Sequence, residues 1–121
     1  MVKALFDTNI LIDHLRGIAQ ARTELGRYPH KAISIITWME VLAGAPAAAE
    51  AGTRAFLDRF AILPLDAAVA DRTVQLRKQY RLTLPDAIVW ASAQVHGMLF
   101  VTRDTRGLPA DDPGIRMPCV V

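Results

Sequence analysis

Short apolar runs alternate with amphipathic stretches along the whole of this chain, and that alternation restricts it to few architectures. Residues 2–6, 31–36, 62–65 and 98–101 are each long enough for a buried strand and too short for an ordinary helix. Residues 115–121 read as a last strand, with Cys119 a small buried residue within it. Between these runs the apolar residues recur at helical spacing. Ile10, Leu11 and Leu15 mark a helix stopped by Gly17, and residues 18–26, 37–44 and 47–60 give three more. Residues 66–82 form the longest periodic segment, and Pro85 opens a further helix that runs to His96 and stops at Gly97. Pro64 predicts that its strand ends there or lies at a sheet edge, because proline has no N–H to give a ladder. Strands alternating with helices predict parallel crossovers: an α/β protein, built as a three-layer α/β/α sandwich around a central, mainly parallel sheet. With no linker or internal repeat, residues 1–121 are expected to form a single domain.

Four acids sit alike against this pattern. Asp7 and Asp104 follow predicted strands, Glu40 lies one helical turn beyond another, and Asp86 opens a helix. Open parallel sheets gather ligands at the carboxyl ends of their strands, so all four are expected on one edge. Each also has a local explanation. Asp7 is a natural helix N-cap. Thr37 to Glu40 reads as a capping box, with Thr37 as the cap. Asp86 suits the first turn of a helix, where the macrodipole favours negative charge. Asp104 could start a turn. Against four separate caps stands the apolar setting: Glu40 lies between Ile35-Ile36 and Val41-Leu42, and Asp86 precedes AIVWASA, so both are predicted to be largely buried. Buried carboxylates are costly unless paired or bound to a cation. A hard ion such as Mg²⁺ or Mn²⁺ takes its oxygens from a few carboxylates, which makes metal-assisted phosphodiester cleavage the expected chemistry.

Composition narrows the setting. A net charge of +2 does not by itself indicate nucleic acid. A single cysteine allows no internal disulfide and fits a reducing, cytoplasmic location. No cationic-then-apolar leader opens the chain, and no apolar run approaches the roughly 18 residues that a membrane span needs.

The runs around the four acids carry a further likeness. DTNILIDHLRG at Asp7, ISIITWMEVLAGA at Glu40, LPDAIVWASAQVHG at Asp86 and LFVTRDTRGLP at Asp104 resemble the PIN-domain family, in particular its small prokaryotic VapC-like toxins. The resemblance runs in order through nearly the whole chain. It implies a metal-dependent endoribonuclease, the toxin of a toxin–antitoxin pair, with Asp7, Glu40, Asp86 and Asp104 as catalytic, Mg²⁺- or Mn²⁺-holding acids. Thr8, Asn9 and Thr102 match polar pocket positions, and Ser34 and Thr37 would orient Glu40. The resemblance also implies a homodimer, neutralised by a cognate antitoxin and acting on RNA. Many relatives carry an acid three residues after the position of Asp104; here that place is Gly107, which leaves Asp104 the least secured of the four.

Arg103 and Arg106 flank Asp104 and are the expected phosphate contacts, with an antitoxin-docking or surface role standing equally against that reading. His14, His30 and His96 lie outside the motifs, and His96 fits a helix C-terminus. Trp38 and Met39 should point to different faces, one of them towards an interface. Two rivals remain open. One is a catalytically silent scaffold that binds RNA or protein. The other is a phosphotransfer enzyme with Asp7 as nucleophile, although such sites call for Asp-x-Asp where this chain has Asp7-Thr8-Asn9.

Overall fold

The structure is a computed structural model that describes residues 2–104, 106–109 and 111–118. Cys119 and the end of the expected last strand lie outside the described residues. In chain order the elements are β1 (Lys3–Phe6), α1 (Thr8–Leu15), α2 (Ala19–Gly26), β2 (His30–Ser34), α3 (Ile35–Ala43), a 3-10 turn (Ala47–Ala49), α4 (Glu50–Leu57), β3 (Ala61–Leu63), α5 (Ala67–Gln79), α6 (Leu84–Val95), β4 (Leu99–Val101) and β5 (Ile115–Arg116). All five strands pair in parallel, in the order β3-β2-β1-β4-β5.

The first strand is the central one, which is why ALF carries no polar residue: Ala4, Leu5 and Phe6 are fully buried. Their alternation divides the core. Ala4, Phe6 and Ile33 face α1, α2, α4 and most of α3, where Phe6 meets Tyr28 and Phe60 edge-on at 5.8 and 6.3 Å. Leu5 and Phe100 face α5 and α6, around the fully buried Val69 and Leu76 and the nearly buried Trp90. This is the predicted three-layer arrangement, with β3 and its following Pro64 at a sheet edge.

Local boundaries depart from the expected ones for identifiable reasons. Ile35 and Ile36 read as strand but open α3, because the Ser34 hydroxyl accepts from the Ile36 N–H at 3.1 Å and caps the helix there. The capping box expected at Thr37 to Glu40 therefore does not form; Thr37 is buried inside α3. A related cap occurs instead at Thr83, whose hydroxyl accepts from the Asp86 N–H at 3.3 Å, with Pro85 in the first turn of α6. The Ala-rich stretch after Pro46 divides into a 3-10 turn and α4 rather than one helix. Among the described residues, no helix is long and apolar enough to cross a membrane.

Candidate active site

The site begins where β1 ends. The Asp7 N–H donates to the Val101 carbonyl at 2.9 Å and extends the pairing of β1 with β4. Its carboxylate then turns into the N-terminus of α1 and is 8% exposed. One oxygen accepts from the Thr8 N–H at 2.8 Å; the other accepts from the Thr102 hydroxyl at 2.7 Å and from the Asn9 amide at 3.3 Å. Burial pushes Asp7 up to about 6, against the lowering effect of the Thr102 and Thr8 hydrogen bonds and with further raising by the charges of Asp86 and Glu40. The helix-cap reading of Asp7 holds, and the same side chain stands at the acidic edge.

Asp86 reaches the same edge from the first turn of α6, and Asp104 from the loop after β4. Together with Asp7 they line a notch closed by Leu82, Phe100, Arg106 and Leu108. Glu40 stands to one side on α3. Thr8 Oγ1 donates to Glu40 Oε1 at 2.7 Å and, with its single proton so used, accepts from Thr37 Oγ1 at 3.0 Å. Thr37 thus orients Glu40 through Thr8, while Ser34 acts as the cap of α3. Glu40 is exposed and Asp86 only half-buried, so the predicted deep burial of both is not found. Helix amphipathicity explains the difference: Val41 turns inward and its neighbour Glu40 turns out.

Asp104 is engaged by a cation of its own chain. Arg106 donates to Asp104 Oδ1 from its N–H and Nε, and to Oδ2 from Nη2, each at 3.0 Å. These bonds hold the Asp104 carboxyl below its ordinary range. Arg103, expected to contact phosphate, is forked onto Asp13 instead, at 2.7 and 3.2 Å. Arg27 pairs with Glu24, and Arg16 lines a groove beside Glu40. His14 stacks on Phe56 with centroids 4.9 Å apart, and His96 caps the end of α6.

Gly107 has a structural reason for its identity. Its φ is +76°, and a Cβ there would stand 2.6 Å from the Arg81 carbonyl oxygen. No acid can occupy that position without moving the chain.

Among the described residues, no three His, Cys, Asp or Glu side chains stand close enough to hold a metal ion as positioned. The chemistry of the donor set nevertheless fits a hard cation. Three carboxylates line one notch, and the most buried of them, Asp7, is raised first by burial and further by the charges of Asp86 and of Glu40 beside the notch, a charge conflict that a bound cation relieves. Sequence reasoning missed two buried acids, Asp13 and Glu24. Asp13 was within reach, since it lies four residues after Asn9 and so on the same face of α1.

A parallel sandwich with an acidic notch at the carboxyl edge of its central strands defines a class, and the sequence states which one. Residues 4–110 match the PIN domain, and the chain belongs to that family. It is similar to a chain of a toxin–antitoxin complex from Klebsiella pneumoniae, at 45% identity and a TM-score of 0.92 over 98% of this chain and 100% of that one. DNA-bound VapBC from Salmonella typhimurium gives 26% identity and a TM-score of 0.75, covering 97% of each chain. VapBC-5 from Mycobacterium tuberculosis, at 21% identity, shares the fold with a TM-score of 0.66 over 97% of this chain and 98% of that one. No curated protein sequence matches the chain.

Proposed function

We propose that this chain is the VapC-like toxin of a toxin–antitoxin pair, a metal-dependent endoribonuclease that hydrolyses RNA phosphodiester bonds. The observation that carries this reading is Asp7: a nearly buried carboxylate at the end of the central strand, raised by burial and by Asp86 and Glu40. Asp7, Asp86 and Asp104 are the residues to hold Mg²⁺ or Mn²⁺, with Glu40 completing the acidic edge. The ion supplies activation of water and neutralisation of charge on the scissile phosphate. Thr102, Asn9 and the Thr8 N–H hold the Asp7 oxygens in a fixed direction, and Thr8 does the same for Glu40. Arg106, exposed at the rim, is the side chain free to exchange Asp104 for a substrate phosphate.

An antitoxin partner is supported by the Klebsiella pneumoniae relative, which is a toxin–antitoxin complex. A groove of about 380 Å³ beside Glu40, lined by Ile12, Leu15, Arg16, Val41 and Pro46, offers a place for a partner segment. Leu15 and Met39, each 46% exposed, add apolar surface for that contact or for a homodimer, which the mass of the purified chain in solution would test.

Cleavage of RNA by antitoxin-free protein should stop in EDTA, return with Mg²⁺ or Mn²⁺, and be abolished by Asp7→Asn with the fold intact. Products should carry 5′-phosphates. Full activity of Asp7→Asn sinks the proposed site. The spread of the acids, with Arg106 clasping Asp104, favours one second reading, a silent scaffold; a wild-type chain that neither cleaves RNA nor binds Mn²⁺ would establish it.

A further inference from the structure

Asp13 is 3% exposed and takes no part in the acidic notch. It stands one turn after Asn9 on α1 and receives the Arg103 guanidinium as a two-pronged clasp, Nε to Oδ2 at 2.7 Å and Nη2 to Oδ1 at 3.2 Å. Such a fork fixes direction as well as distance.

What Arg103 precedes gives the clasp its meaning. The sheet ladder reaches Thr102, whose N–H donates to the Arg116 carbonyl at 3.0 Å; among the described residues, the amides of Arg103 and Asp104 donate to no backbone carbonyl, so the ladder does not shape the loop beyond Thr102. Side chains do so instead. The Arg103 N–H donates to Asn9 Oδ1 at 3.2 Å, and the Asp104 N–H donates to Thr102 Oγ1 at 3.1 Å. Thr102 in turn accepts from Asn9 at 3.4 Å and donates to Asp7. Apart from the Thr102 N–H, which donates to the Arg116 carbonyl, and Arg106, which clasps the Asp104 carboxylate itself, the ties lead back to Asp7 and to Asn9 and Asp13 on α1. The Asp13–Arg103 clasp holds the residue immediately before Asp104 to α1.

We infer that Asp13 is a positioning residue for the reaction proposed above: through the Arg103 guanidinium it fixes the turn from Thr102 to Asp104, and so the place of the Asp104 carboxylate. Arg103 on this reading is the handle of the loop and not a phosphate contact. The inference rests on the metal-site reading of the acidic notch. A simple tether between α1 and the loop would add stability and nothing else, and the two roles separate by experiment.

The experiment is Mn²⁺ binding to the purified metal-free chain, read from the spectrum of free Mn²⁺ in wild type, Asp13→Asn, Arg103→Gln, Arg103→Lys, Asp104→Asn and the Asp13→Asn/Asp104→Asn double variant. Asp13→Asn and Arg103→Gln should each weaken binding about tenfold, as loss of a ligand's support does. Arg103→Lys, which keeps the charge but loses the fork, should fall between them and wild type. In the Asp104→Asn background, Asp13→Asn should cause no further loss, because the residue it positions is already gone. Amide exchange at Arg103 and Asp104 should quicken in metal-free Asp13→Asn while the core amides stay protected. Should Asp13→Asn fail to fold, the Arg103 variants, whose side chain is partly exposed, carry the same test. Unchanged Mn²⁺ affinity in the variants, or losses that simply add in the double variant, overturns the inference alone. A wild-type chain that binds no Mn²⁺ overturns the functional reading and this inference with it.

Discussion

The Asp7 carboxylate accepts three hydrogen bonds and is nonetheless raised to about 6, because burial acts first and the charges of Asp86 and Glu40 add to it. A raised carboxyl binds its proton more tightly in the folded chain than in the unfolded one. The stability it contributes is therefore complete below its ordinary value of 3.8 and is lost as pH rises through about 6. Between pH 5 and pH 7.5 metal-free wild type should accordingly lose melting temperature relative to Asp7→Asn. Asp7→Asn should remove that slope and stabilise the metal-free fold at pH 7.5 by up to about 3 kcal/mol, and Mn²⁺ should flatten the wild-type profile; thermal denaturation across pH checks all three. Gly107 makes a second residue-scale case. Gly107→Asp forces a Cβ against the Arg81 carbonyl at positive φ, so it should cost about 1–3 kcal/mol in a denaturant titration without improving Mn²⁺ affinity. The four edge acids were legible in sequence because each lies at, or within a helical turn of, a predicted strand end or helix start. The partners of the arginines were not, since Arg103 and Asp13 are 90 residues apart and nothing local links them.

At the scale of elements, two hydroxyls set the helices that bring Glu40 and Asp86 to the edge. Ser34 starts α3 at Ile35, which fixes the rotation that leaves Glu40 facing Thr8. Thr83 starts α6 and holds the Asp86 N–H. Replacing Thr83 by Ala should lower stability by about 1 kcal/mol, seen as a lower urea midpoint at unchanged slope, and should weaken Mn²⁺ binding because Asp86 loses its anchored backbone. The order of the strands and α-helices could be read from apolar periodicity and its Gly and Pro breaks, though not the 3-10 turn that divides the stretch after Pro46. Where the reading slipped, a short-range bond overrode a broader tendency. Ile35 and Ile36 are β-branched and favour strand, but one serine hydroxyl three residues before Thr37 is enough to begin a helix. Capping signals compete in sequence: Thr37 with Glu40 fits the pattern as well as Thr83 with Asp86 does, and only burial of Thr37 within α3 decides between them.

At the scale of the molecule, the sheet order places the first strand in the middle, between β2 and β4, whose residues follow it by more than 90 positions. Asp7 is bonded to Thr102 across 95 positions, and the loop bearing Asp104 is shaped from α1. None of the earlier elements can complete the acidic edge without β4. A ribosome adding about 5–20 residues per second therefore carries the Asp7 carboxylate for several seconds before its counterpart exists. During that interval the growing chain holds every part of α1 and none of the assembled edge. Order of synthesis thus sets the order of assembly: the acidic edge is completed only once β4 and the loop bearing Asp104 have joined the chain that already carries Asp7.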